Sequence, residues 1–385
     1  MKSMRIITAL FCVFISTNTY AERTLPKKPK LKKINVRFNN DHLKASYLLI
    51  DVRSEEQKSK NETEGKLDGP VLIFFHGHSQ RPEDGYMLTS KLALYSKSGI
   101  LLVPICQTPT GKDRKWRGDD GKDIILMEII RYALKDSGIY AAGYKPISEM
   151  KVYINEKEIN SVIQKSETST KSHMKTKFAL LGWSHGAILS RRIAHHYPNS
   201  TVSMAHLSPA GYEKWDGAAE LIPAFGWECA RISGRGIAKG EFNQSIHAGN
   251  AVSKGLFSDI YGSLQSCIFG NFSLAKPFRP LRDADDCAAY LDDWNYPVQH
   301  LNMITVIFSE KDSLFEYKKA GIPDPKKITA RDIDDFINKY YHNVDKKKTG
   351  FSLHVLPGNH IGPYVFPDEY AKQALIGIAE FREKP

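Results

Sequence analysis

The clearest chemistry in this chain of 385 residues lies in five consecutive positions, Gly182-Trp183-Ser184-His185-Gly186. They follow the apolar run Phe178-Ala179-Leu180-Leu181. They precede a stretch that sets Ala187, Ile188, Leu189, Ile193 and Ala194 on one helical face. A G-x-S-x-G pattern gains meaning from that context of strand, turn and helix in direct succession. The turn must be tight enough to hold Ser184 in a strained backbone conformation and project its hydroxyl. Gly182 and Gly186 are required because a Cβ at either place would collide with the neighbouring strand or helix. The N–H of His185, at the helix start, then points to where a carbonyl oxygen would gain charge. A serine at its ordinary pKa is a poor nucleophile, so this chemistry also needs a base and a group that orients the base. The competing reading is an ordinary strand–helix turn with a surface serine.

The elements that must position these residues alternate along the chain. Short strand-like runs fall at residues 34–38, 47–52, 71–75, 100–105, 178–181, 202–207, 304–308 and 351–356. Helical spacing falls at 83–97, 121–135, 185–197, 329–342 (with Thr329 as N-cap) and 367–382. Residues 54–68 read as a polar, charged loop, 138–175 as an insertion, and 210–299 lack strand–helix alternation. The alternation predicts a mostly parallel sheet with helices on both faces. Ligands in such sheets bind at the carboxyl ends of the strands, so chemistry is expected just after each apolar run.

On these residues the chain resembles the α/β-hydrolase fold family of serine hydrolases, in element order over most of residues 45–385. The resemblance implies an α/β-hydrolase fold, a mostly parallel sheet flanked by helices, with 210–299 as a cap-like insertion. It makes Ser184 the nucleophile and His76-Gly77-His78 the oxyanion-hole loop. The N–H groups of His78 and His185 would hold the oxyanion, and Gly77 would let the backbone approach. In the family order of serine, acid, histidine, His360 in Pro357-Gly358-Asn359-His360-Ile361-Gly362-Pro363 takes the place of the base. His342 and His354 are the other late histidines. Asp312 takes the place of the acid, with Glu310 as its nearest rival. A glycine often stands in the family where this chain has Ser309. A metal site on His76 and His78 is the competing reading of that loop. The implied activity is hydrolysis of a carboxylic ester, including a lipid ester, through an acyl-enzyme and with no cofactor. A prolyl-oligopeptidase-like serine peptidase and a non-catalytic binding protein on the same scaffold are the alternatives.

The insertion at 210–299 is rich in aromatic residues: Trp215, Phe225, Trp227, Phe242, Phe257, Phe269, Phe272, Phe278 and Trp294. They would suit an apolar acyl or aryl group, or form the cap's own core. Trp116, Asp119, Asp120 and Asp123 are expected on the same rim, as substrate contacts or as a solvated turn entering a helix N-terminus. Ser208-Pro209-Ala210-Gly211-Tyr212 leaves a strand there too.

Residues 1–21 read as a secretory signal peptide, with Lys2 and Arg5 before a short apolar stretch and Thr19-Tyr20-Ala21 as cleavage site. A short membrane anchor is the rival, weakened because the apolar run is too short to span. Export, to a periplasm or beyond the cell, is therefore expected, and residues 34–385 form the enzyme domain. Four cysteines remain after cleavage (Cys106, Cys229, Cys267 and Cys287), and two disulfides are expected, with Cys267–Cys287 as the first pair.

The hydrophobic share of 42% and charged share of 25% exclude a mainly disordered, collagenous or coiled-coil chain. The formal net charge is +11. The signal accounts for +2 and the basic linker 22–33 for +5, leaving 11 − 2 − 5 = +4 on residues 34–385. A nucleic-acid partner is therefore not expected. The linker suits contact with an anionic membrane or cell-wall surface instead.

Overall fold

A computed structural model describes residues 29–38, 41–64, 67–78, 80–106, 119–137, 177–198, 200–238, 287–288, 296–298 and 300–382. Its strands are β1 (Lys32–Phe38), β2 (Asp41–Asp51), β3 (Val71–Phe75), β4 (Ile100–Pro104), β5 (Phe178–Trp183), β6 (Thr201–Leu207), β7 (Met303–Ser309) and β8 (Gly350–Leu356). They form one sheet in the order β1-β2-β4-β3-β5-β6-β7-β8. Strand β2 runs antiparallel to both β1 and β4, and β3 to β8 are parallel throughout.

The central strands β3, β4 and β5 are continuous apolar runs, and helices bury both of their faces. In β3, Val71, Ile73 and Phe75 point to one side. There they join Leu126, Met127 and Ile130 of α3 (Asp119–Asp136) and Ile188, Leu189 and Ile193 of α4 (His185–His196). Leu72 and Phe74 point to the other side. They meet Leu88 and Leu92 of a helix that precedes α3, and Ala371, Ala374 and Leu375 of the last helix of the chain. These two are α2 (Tyr86–Tyr95) and α8 (Pro367–Gly377).

Register brings the carboxyl ends together. Phe75 pairs with Gly182, Trp183 with Leu207, Leu207 with Ile307, and Ser309 with Leu356. The loops that follow β3, β5, β7 and β8 therefore leave the sheet at one edge. The α/β architecture expected from the periodicity is the one present.

Three elements differ from the sequence reading. Residues 55–64 are not a loop but helix α1 (Glu55–Glu64). It is polar all round, so no apolar stripe announces it. Its start is nonetheless written in the sequence. Ser54 Oγ accepts from the Gln57 N–H at 3.2 Å, and the Ser54 N–H donates to Gln57 Oε1 at 3.3 Å, a capping box. The second is α5 (Ala218–Ala238), a helix of 21 residues inside the stretch read only as lacking strand–helix alternation. The internal Pro223 and the glycines obscure its pattern. The third is the linker. Lys32 and Lys33 already belong to β1, and Lys32 Nζ lies 3.7 Å from Asp136 Oδ2.

Two further helices lie between β7 and α8. Helix α6 (Ala330–Tyr340) starts at the expected cap, with Thr329 and Asp332 closing a capping box, and α7 (Gly362–Val365) precedes α8. Among the described residues no helix is long and apolar enough to cross a membrane. No disulfide joins the described cysteines Cys106, Cys229 and Cys287, all of them buried. Cys267, the signal segment, the linker up to residue 28, Trp116 and the insertion at 138–175 lie outside the described residues, as do Phe242, Phe257, Phe269, Phe272, Phe278 and Trp294.

Candidate active site

Ser184 sits between β5 and α4 at φ 54 and ψ −123, a region that L-residues rarely adopt. Three backbone bonds hold it there. The Ser184 N–H donates to Leu207 O at 3.1 Å, and its carbonyl accepts from the Ala187 N–H at 3.0 Å and the Ala210 N–H at 3.1 Å. The flanking glycines are steric necessities. A Cβ on Gly182 would lie 2.2 Å from the Gly186 carbonyl oxygen, and one on Gly186 would lie 2.0 Å from that of Phe75. Ser184 occupies the N-cap position of α4, but its hydroxyl makes no capping bond. It faces His360 instead.

Ser184 Oγ lies 3.0 Å from His360 Nε2, and His360 Nδ1 lies 2.8 Å from Asp312 Oδ2. All three residues are buried. The other carboxylate oxygen of Asp312 accepts the N–H groups of Leu314 at 2.9 Å and Phe315 at 3.1 Å. Every acceptor direction toward the loop is thus used, and the carboxylate is fixed toward the imidazole. The loops after β7 and β8 are themselves joined, with the Glu310 N–H on Leu356 O and the Lys311 N–H on Gly358 O, both at 2.8 Å. That pairing delivers Asp312 and His360 to each other. With the proton on Nδ1 donated to Asp312, Nε2 keeps its lone pair toward the serine hydroxyl.

The loop after β3 lies against the same turn. The rings of His78 and His185 are 6.4 Å apart, so the two residues proposed to supply N–H groups are neighbours. A Cβ on Gly77 would approach the Trp183 ring to 2.3 Å. His76 is buried, and its Nε2 accepts the Cys106 N–H at 3.0 Å. Its Nδ1 then carries the proton and donates to the Gly77 carbonyl, 3.0 Å away. Burial lowers its pKa to about 4, which keeps the ring neutral. Both ring nitrogens are engaged within the protein, which argues against the metal reading of His76. Among the described residues no group of three potential metal ligands occurs.

Other candidates fall elsewhere. Asp123 is buried, not a solvated rim residue. Its carboxylate lies 4.0 Å from Arg192 Nε and 3.6 Å from His196 Nε2, in the last turns of α4 and so at the far end of that helix from Ser184. Asp119 and Asp120 open α3. Glu310 makes its backbone bond to Leu356 and is not the partner of His360. His354 sits in β8 with Gln373 at 3.0 Å, and His342 lies beside Asn343 at 3.2 Å. Trp215 and Phe225 pack partly against the core, whereas Trp227 is exposed.

Contacts that the sequence did not announce surround the site. The Trp183 indole N–H donates to the His360 carbonyl at 3.0 Å. Ser208 Oγ and Tyr370 OH each lie 2.6 Å from Ser309 Oγ. Side chains of α5 reach the loop that carries Asp312. A G-x-S-x-G motif flags the tryptophan's position but not its partner, and the others join residues at least 61 positions apart.

No described protein family and no curated relative matches the sequence. Solved structures do resemble the fold. A meta-cleavage product hydrolase from Pseudomonas fluorescens is 12% identical, with 92% of this chain and 98% of that chain covered and a TM-score of 0.48. A probable hydrolytic enzyme from Pseudomonas aeruginosa is 10% identical, with 92% and 95% covered and a TM-score of 0.47. A carboxylesterase from Bacillus subtilis is 10% identical, with 92% and 93% covered and a TM-score of 0.43. The activities in those names belong to those proteins. The eight-stranded order, the antiparallel β2 and the strained serine between β5 and α4 are those of the α/β-hydrolase fold.

Proposed function

We propose that the protein is a serine hydrolase that cleaves a carboxylic ester, a lipid ester included, through Ser184, His360 and Asp312. The observation that carries this reading is the unbroken contact from Ser184 Oγ to His360 Nε2 and from His360 Nδ1 to Asp312 Oδ2. As the serine oxygen attacks the carbonyl carbon, its proton passes to Nε2, and the imidazolium is held by the Asp312 carboxylate. The tetrahedral oxyanion is received by the N–H groups of His78 and His185. Collapse expels the alcohol, which takes the proton from Nε2. Water, activated by the same nitrogen, then releases the acid and restores Ser184. Phe315 and Trp183, with rings 5.4 and 5.2 Å from that of His360, give the base an apolar surround that favours an apolar acyl or aryl group.

A fluorophosphonate probe tests the chemistry. Native protein is expected to be labelled and Ser184→Ala protein is not; an unlabelled native protein would overturn the reading. Turnover of p-nitrophenyl esters of increasing chain length, with no turnover of dipeptide anilides, is the expected specificity. The reverse preference would make the enzyme a peptidase. Export belongs to the same proposal, and the mature chain is expected to begin at Glu22, which N-terminal sequencing after expression in a secreting host checks. The linker that follows is proposed to hold the enzyme to anionic surfaces. Deleting residues 22–31, which stops short of β1, should then weaken binding to anionic vesicles without slowing ester turnover.

A further inference from the structure

Helix α5 touches the loop that bears Asp312. Arg231 Nη2 lies 3.2 Å from the Lys311 carbonyl oxygen and 3.2 Å from Ser313 Oγ, so it donates to the residues on either side of Asp312. Arg231 is in turn held by Glu228, which accepts from its Nε at 2.7 Å and its Nη2 at 2.8 Å. Glu228 also accepts the hydroxyl proton of Ser313. The Glu228 side chain is 1% exposed and that of Arg231 24%. A buried carboxylate of this kind is kept in place by its guanidinium partner, because without it Glu228 would be an unpaired charge out of water.

From below, the same loop is held by backbone groups, Glu310 on Leu356, Lys311 on Gly358 and the Asp312 N–H on Ser309 O at 3.2 Å, and by the Ser309 hydroxyl on Ser208 and Tyr370. Backbone bonds fix the height of the loop above the sheet. The Glu228–Arg231 pair on α5 adds side-chain bonds to Lys311 and Ser313, the residues on either side of Asp312.

We infer that Glu228 and Arg231 are positioning residues for Asp312, so that helix α5 controls the reactivity of Ser184 through the acid loop. The inference rests on the proposed role of Ser184, His360 and Asp312. It extends the site to a helix that neither the nucleophile motif nor the late histidine indicates. The i, i+3 spacing of Glu228 and Arg231 is what lets one helix face present both groups to the loop.

The test uses the full chain and a fluorophosphonate probe, whose phosphorus takes the serine oxygen as fluoride leaves. The maximal labelling rate and the half-saturating probe concentration are measured separately. Arg231→Met and Glu228→Gln should lower the maximal rate about 10- to 100-fold, the scale of a misplaced reacting group, with the half-saturating concentration unchanged. Ser313→Ala, a milder change at an exposed position, should lower it about threefold, as expected for one lost hydrogen bond among several. In an Asp312→Asn background, Arg231→Met should add less than about twofold, because the two residues act in one chain of contacts. Native labelling rates in all three single variants would overturn the inference while leaving the Ser184 proposal intact. So would an Arg231→Met effect that persists in full in the Asp312→Asn background, which would make it a general loss of structure. An unlabelled native protein would overturn both.

Discussion

The indole N–H of Trp183 donates to the backbone carbonyl of His360 at 3.0 Å, and the two rings lie 5.2 Å apart. The residue before Ser184 therefore holds the backbone of His360. The same indole fills the space above Gly77 and packs on Tyr364, with ring centroids 4.7 Å apart. One side chain joins the loops after β3, β5 and β8. In Trp183→Phe most of the ring remains but the donor is gone, which leaves the buried His360 carbonyl unpaired. That costs about 1–3 kcal/mol of stability. Urea unfolding should register the loss, and fluorophosphonate labelling should slow by about tenfold as the imidazole drifts from Ser184. Native labelling at reduced stability would confine the bond to a structural role.

Ser184 is strained, and its strain can be measured. At φ 54 a glycine is comfortable and an alanine is not. Ser184→Ala and Ser184→Gly both remove the hydroxyl and should both abolish labelling. The glycine variant should nonetheless be more stable than the alanine variant, by about 1 kcal/mol, because it alone relieves the backbone. Equal unfolding midpoints for the two would mean that the turn is not under strain.

What could be read in the sequence follows from how local each signal is. Strands β3 to β7 are buried along nearly their whole length, so their largely apolar runs stand out within a few residues. Ser184 is flanked by the strand and helix that define its turn, and His360 and Asp312 follow from the chain order that the family resemblance implies. Helix α1 was missed because Glu55 to Glu64 show no stripe, although Ser54 and Gln57 carry the capping signal. Asp123 was misplaced because acidic residues favour a helix start in solvent. Nothing local shows that Arg192 and His196, some 70 positions later, would enclose it. The Glu228–Arg231 pair met the Asp312 loop across 80 residues, a contact made by the fold alone.

Acid should destabilise the protein through buried neutral histidines. Burial lowers the pKa of His76 to about 4 and that of His206 to about 3 from an ordinary 6.5, and that of His300 to about 4. The imidazole of His206 is bound on both sides, 2.9 Å from Ser190 Oγ and 2.6 Å from Tyr212 OH. Below pH 6.5 the unfolded chain takes up protons at these positions while the folded protein does not, so stability falls as pH drops toward 4. Glu380 works in the opposite sense. Burial raises its pKa from 4.5 to about 7, so its contribution is lost as pH rises through that range. Burial also lowers the pKa of His354 and raises that of Glu213, so four histidines outweigh two carboxyls, and urea midpoints should decline from pH 7 to pH 5. Each proton difference is worth up to about 1.4 kcal/mol per pH unit. His76→Gln can still donate and accept but does not titrate in this range, so it should flatten the slope. An unchanged slope would show that His76 is not held neutral.

Ser309 stands where the resembling family often has glycine, and its hydroxyl is in use. Ser208 Oγ and Tyr370 OH lie 2.6 Å from it on either side, and Tyr370 OH donates to Pro357 O at 3.1 Å. This chain of hydroxyls ties the end of β6 to the end of β7 and to the loop that leads to His360. Ser208 itself is held at φ 40, with its N–H on Ile307 O at 2.7 Å, so its side-chain direction is fixed. Space around the hydroxyl is closed, since a Cβ on Gly362 would come within 2.9 Å of it. Ser309→Ala should remove the hydroxyl that links Ser208 to Tyr370 in a dry interior and cost about 1–3 kcal/mol. Ser309→Gly should cost more, because it also frees the unfolded backbone. Labelling should slow less than in Trp183→Phe, because the chain supports both loops without touching the reacting groups. Unfolding of Ser309→Ala within about 0.5 kcal/mol of native, the range of ordinary surface changes, would show that the hydroxyl contributes no net stability.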